Sequence, residues 1–151
     1  MTAASQPAPA RGPGVEVPHR VEPLQADLLR RVPAQAGELA GMRSAVVGFA
    51  EACGFTIAAQ AEIALAVSEA CTNVVMHAYV DAAAPGSLTI ASAHVNGELV
   101  VAVRDEGRGM LPRADSPGLG FGLSIIGQLA QRVEISANGA AGTEVRMSFA
   151  A

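Results

Sequence analysis

Asn96-Gly97 stands between two runs, residues 88–95 and 98–105, in which apolar and polar side chains alternate. Asn-Gly favours the positive φ angles of a two-residue type I′ turn, and period-two alternation belongs to half-buried strands. A two-residue loop also sets the register: Val95 must face Glu98, His94 must face Leu99, Ile90 must face Val103, and Leu88 must face Asp105. Leu88, Ile90, Val101, Val103 and Asp105 then share one face. A carboxylate thus ends an otherwise apolar, core-facing stripe. Burying it without a partner is costly, and the N–H of a bound ligand is one candidate partner.

Two helices are expected before this hairpin. Residues 35–53 carry Leu39, Met42, Val46, Phe49 and Ala50 at helical spacing, with Gly54 as the stop. Thr56 is placed to cap a second helix over 57–79, whose apolar stripe is Ile63, Val67, Ala70 and Val74. Beside that stripe Glu69, Asn73 and His77 recur at four-residue spacing. A helix turns about 100° per residue, so a carboxylate, an amide and an imidazole line the edge of the core, within reach of a metal-bound phosphate chain. Upstream, residues 24–32 read as an edge strand ended by Pro33, and residues 1–22, rich in Ala, Pro and Gly, read as a disordered tail.

After the hairpin come two glycine clusters, Asp105-Glu-Gly107-Arg-Gly109 and Gly118-Leu119-Gly120-Phe121-Gly122, separated by a short loop with two prolines. A helix over 120–131 follows, with Leu123, Ile126, Leu129 and Ala130 on one face. Strands over 133–137 and 143–149 close the chain, and Thr143 shares parity with the apolar set, a second polar group aimed inward. The expected fold is α+β: a two-layer sandwich of a mixed, mostly antiparallel sheet with one wet face and helices packed on the other.

A chain of 151 residues, half of them apolar, makes one domain with one core. The net charge of −4 argues against general nucleic-acid binding. Every basic residue is arginine, which excludes a Walker-type P-loop lysine. No signal peptide or apolar run long enough to span a membrane is recognisable, so the expected location is cytoplasmic. Cys53 and Cys71 read as core fillers, His94 as a satisfied sheet-edge histidine, and His19 as a tail residue without a role.

Singly, a polar residue on an amphipathic helix is usually a rim residue and a Gly-x-Gly a turn. Their order is what combines them into one nucleotide pocket. Gly107 and Gly109 leave room for a flat ring beside Asp105. Gly118, Gly120 and Gly122 open a helix whose free N–H groups and dipole attract phosphate. Asn73 offers an amide oxygen suited to Mg²⁺, and Glu69 can take a proton from, or orient, an attacking hydroxyl.

The string Glu69-Ala-Cys-Thr-Asn73-Val-Val-Met-His77-Ala-Tyr79, then Asp105-x-Gly107-x-Gly109, then Gly118-Leu119-Gly120-Phe121-Gly122, then Gly142-Thr143, resembles the ordered boxes of the GHKL (histidine-kinase-like) ATPase superfamily. Gyrase, heat-shock chaperones, mismatch-repair ATPases and histidine kinases share that pocket. The small single-domain form most resembles the bacterial anti-sigma-factor serine/threonine kinases, and the resemblance spans residues 24–150. It implies ATP and Mg²⁺ as cofactors, with Asn73 coordinating Mg²⁺, Glu69 as catalytic base and Asp105 accepting from the adenine amino group. It also implies Gly107 and Gly109 at the adenine wall, the 118–122 box (Leu119 and Phe121 with its glycines) at the phosphates, Thr143 supporting the adenine contact, and His77 near the phosphates. Such kinases silence a sigma factor, phosphorylate a STAS-type antagonist and are typically homodimers.

The family's ATP lid is reduced here to Met110–Pro117, and Arg108, just before it, and Arg113, within it, are available as substitute phosphate contacts or as solvated loop residues. A trimmed lid favours the alternative of an ATP-dependent regulatory binding module without productive transfer. A two-component histidine kinase ranks third, since no long helix with a phospho-accepting histidine is legible.

Overall fold

The computed structural model describes residues 22–108, 119–139 and 141–151. The tail, Gly109, Gly118, Arg113 and the Met110–Pro117 lid lie outside the described residues. Strand β1 (Leu28–Pro33) leads through a 3₁₀ turn (Ala36–Glu38) into helix α1 (Leu39–Ala52) and helix α2 (Ile57–Asn73), which runs on as a π turn (Val74–Ala78). Strands β2 (Ser87–Val95) and β3 (Glu98–Asp105), helix α3 (Leu119–Leu129), and strands β4 (Arg132–Asn138) and β5 (Gly142–Ala150) complete the order. The strands lie side by side as β1-β2-β3-β5-β4.

Local chemistry sets the boundaries. Gly54, at φ +85, ends α1 in a left-handed conformation, and its N–H donates to the Glu51 carbonyl at 2.9 Å. The Thr56 hydroxyl accepts from the Ala59 N–H at 3.2 Å, capping α2. Ile63, Val67, Ala70 and Val74 are all buried, and the two larger aliphatic side chains among them in α2, Ile63 and Val67, contribute about 1.5–3 kcal/mol each. The second helix differs from the expected 57–79 in that α geometry stops at Asn73. A π turn closes i→i+5 bonds and takes more residues per turn, so His77 rotates off the stripe that Glu69 and Asn73 share.

Asn96 and Gly97 have φ of +52 and +80, as a type I′ turn requires, and the pairs Val95–Glu98, His94–Leu99, Ile90–Val103 and Leu88–Asp105 form as the turn dictates. The β5 strand pairs with both β3 and β4 and packs on α2, with Val145, Met147 and Phe149 in the core. His94, read as a satisfied sheet-edge histidine, is exposed and meets Phe55 edge-on with ring centroids 5.8 Å apart. Cys71 is buried and its thiol is pushed up to about 12 by desolvation, as befits a core filler.

Some expectations are corrected. All four described strand pairs are antiparallel, so the sheet is not mixed: the crossover through α3 and β4 brings β5 back against β3 in the opposite sense. The first strand begins at Leu28 rather than Leu24, because Asp27 is the residue whose N–H reaches the Ser92 carbonyl, at 2.8 Å. The outer face is not wet throughout. Ala91 and Ala102 are buried between Leu29 and Arg146 in register, and Glu144 is buried where Arg104 and Arg146 both bond its carboxylate, the Arg146 Nε at 2.9 Å. Ile135, on the helix side, is exposed because β4 is an edge strand.

Gly97→Ala forces a Cβ into left-handed backbone and is expected to cost about 1–2 kcal/mol in urea unfolding with an unchanged m-value.

Candidate functional site

The candidate site lies where the end of α2, the start of α3, the end of β3 and the start of β5 converge. Asn73 occupies the last α-helical residue of α2, is 5% exposed, and its Nδ2 has no hydrogen-bond partner among the described residues. Gly122 faces it: a Cβ there would stand 2.9 Å from both carboxamide heteroatoms of Asn73. Leu119, Gly120, Phe121 and Gly122 form the first turn of α3, where backbone N–H groups have no partner within the helix. An amide side chain is thereby pressed against a helix start suited to anions. Glu69 is half-buried one turn back along α2.

The second half of the site is built around Asp105, 2% exposed at the end of β3. Its Oδ1 accepts the Gly107 N–H at 2.9 Å, and the Thr143 N–H also donates to its carboxylate. Burial pushes the carboxyl above its ordinary 3.8, and these two N–H donors oppose that shift without cancelling it. Thr143 therefore serves through its backbone, with its buried side chain alongside. Two residues that the sequence did not single out as site residues fasten this corner. Asn138 donates from Nδ2 to the Asp105 carbonyl at 2.8 Å, and Gly142 lies so close that a Cβ would be 2.2 Å from that same oxygen. Asn138 carried no signal beyond a polar residue before the Gly139 turn, whereas Gly142 stood in the Gly-Thr pair.

The π turn joins the halves. Its Ala78 carbonyl accepts the Arg108 N–H and its His77 carbonyl accepts Arg108 Nε, both at 2.9 Å. Gly107 fits beneath because a Cβ would lie 2.1 Å from the Ala78 oxygen. Arg108, anticipated as a phosphate contact, is engaged here and lies 3.7 Å from Asp81. His77 is half-buried, and its described contact runs through the backbone rather than the imidazole. Of the anticipated residues, the structure brings Asn73 to Gly122, and Asp105 to Gly107 and Thr143. Among the described residues, no cluster of three or more His, Cys, Asp or Glu forms a metal site, and no helix is long and apolar enough to cross a membrane.

A helix layer on an antiparallel sheet, with a buried carboxylate at a strand end and a buried amide against a glycine-rich helix start, is the architecture of an ATPase domain of the histidine-kinase type. Residues 32–149 match the family described as the histidine kinase-like ATPase domain, and the chain belongs to that family. It is 32% identical over 117 residues to the anti-sigma F factor of Caldanaerobacter subterraneus subsp. tengcongensis, covering 70% of this chain and 80% of the relative. It is 35% identical over 77 residues to the serine-protein kinase RsbW of Bacillus mycoides, covering 51% of this chain and 47% of that protein. The fold matches the RsbU and RsbW domains of Rv1364c from Mycobacterium tuberculosis, with a TM-score of 0.64 at 23% identity over 82% of this chain and 31% of that one.

Because folding raises the Asp105 carboxyl above 3.8, its ionised form costs stability. That cost is absent below the unfolded value, sets in as pH rises and is complete above the folded value. The melting temperature of Asp105→Asn, measured relative to wild type from pH 3 to pH 7, should therefore shift in the variant's favour as pH rises.

Proposed function

We propose that this chain is an ATP-binding anti-sigma-factor protein serine/threonine kinase, which sequesters a sigma factor and phosphorylates a STAS-type antagonist, acting as a homodimer. The carrying observation is the presence, on either side of the π turn, of a buried Asp105 carboxylate and a buried Asn73 amide whose Nδ2 has no partner among the described residues. The anti-sigma and serine-kinase names of the relatives support the choice of substrate and partner classes.

In this reading Asp105 accepts from the adenine amino group, with Gly107, Gly109 and the Thr143 amide shaping the wall around the ring. The 118–122 box lays its amides on the phosphates, and His77 lies near them. Asn73 fits Mg²⁺ as a sole protein ligand: a hard cation takes an amide oxygen while phosphates and waters fill its remaining positions. When bound, Mg²⁺ neutralises charge on the triphosphate. Glu69 accepts the proton of the substrate hydroxyl as its oxygen bonds the γ-phosphorus. The bond to the β–γ bridging oxygen breaks, and ADP leaves.

Glu69→Ala is expected to retain Mg-ATP binding by calorimetry while antagonist phosphorylation, followed by mass spectrometry, falls roughly 10²–10⁴-fold. Wild-type protein that binds ATP and never phosphorylates a cognate antagonist would instead identify the regulatory binding module. Protonating Asp105 replaces the charged acceptor for the adenine amino group by a weaker, neutral one, so ATP affinity should fall by about 10–100-fold on acidification. Because burial raises this carboxyl, the loss should begin at a higher pH than for a solvent-exposed aspartate.

A further inference from the structure

We propose that Tyr79 is a positioning residue that sets the Asp105 carboxylate for the nucleotide base, an inference that rests on the adenine reading above. Tyr79 follows the π turn directly. Its hydroxyl donates to the Ser87 carbonyl at 2.6 Å and accepts the Glu106 N–H at 2.8 Å. One phenol thus ties the helix end to the start of β2 and to the peptide immediately after Asp105. Its ring lies over Gly86, where a Cβ would stand 2.0 Å from the ring edge, so the glycine is what lets the ring seat.

The three amides following Asp105 show why this matters. The Glu106 N–H goes to Tyr79, the Gly107 N–H to the Asp105 carboxylate itself, and the Arg108 N–H to the Ala78 carbonyl. The middle bond ties the loop back to the end of β3 and not to the helix layer. The loop's backbone amides are therefore anchored to the helix at two points, and the one nearer the carboxylate is the phenol. The Glu106 side chain adds exposed contacts to Ser87 Oγ at 3.2 Å and Arg31 at 3.3 Å, which solvent screens. Removing the hydroxyl takes away the N–H anchor of the peptide beside Asp105, leaving only the Asn138 bond to its carbonyl, while the aromatic packing stays in place.

The consequence is a loss of base discrimination rather than of binding as a whole. A held carboxylate favours adenine, which presents an amino group, over hypoxanthine, which presents an oxygen at the same position. Phosphate contacts are common to both nucleotides. The test is calorimetric titration of the full chain with Mg-ATP and Mg-ITP, for wild type, Tyr79→Phe and Gly86→Ala. The last variant displaces the ring while keeping the hydroxyl, and it carries the test if Tyr79→Phe does not fold. Expected is a loss of about tenfold in ATP affinity for Tyr79→Phe, a smaller loss for ITP, and a reduced ATP preference in both variants. A preference unchanged from wild type in the folded variants, even with both affinities lowered equally, would overturn the proposal and leave the adenine reading intact. Wild type that binds both nucleotides equally would overturn the adenine reading and this proposal with it.

Discussion

A carboxylate buried at Asp105 persists because the protein solvates it with its own amides. The Gly107 and Thr143 N–H groups take the place that water would fill, and burial still leaves the carboxyl raised. Everything around this corner serves that arrangement. The loop must turn back on the strand to present Gly107, and β5 must begin where its first amides reach across. Asn138 and the bare Cα of Gly142 hold the Asp105 backbone where both can happen.

The same corner links the two layers. Helix α2 would end with carbonyls lacking partners, and the π turn directs two of them, on His77 and Ala78, at Arg108. Asn73 lies just before that turn and Asp105 just before the loop it binds, so the buried amide and the buried carboxylate share one backbone connection. Glycines at 86, 107, 122 and 142 all lie where a Cβ would overlap a neighbour. Close approach, more than turn geometry, is their common function here.

Much of this was legible from residue order. The Asn-Gly turn dictated the hairpin register, and with it the inward direction of Asp105, because a two-residue loop admits one pairing and side chains alternate with period two. Thr143 followed by parity, and the apolar stripe of α2 by helical period. The π turn was not legible. Nothing in Val74–Ala78 distinguishes it from an α-helix, since what stabilises it is a set of donors thirty residues downstream. Asn138, and the contacts of Tyr79, were hidden for the same reason: each acts on a backbone group remote in sequence. The buried Glu144 defied its polar position because two arginines from neighbouring register positions fold over it.

The sequence by itself determined which side chains face the core and in what order the chemical groups occur, since those follow from local periodicity and turn chemistry. Only the tertiary structure decided which backbone amides reach the carboxylate, where the second helix changes its winding, and which glycines are spaces rather than turns. Those depend on atoms from distant segments meeting within hydrogen-bond distance, and no local pattern encodes such a meeting.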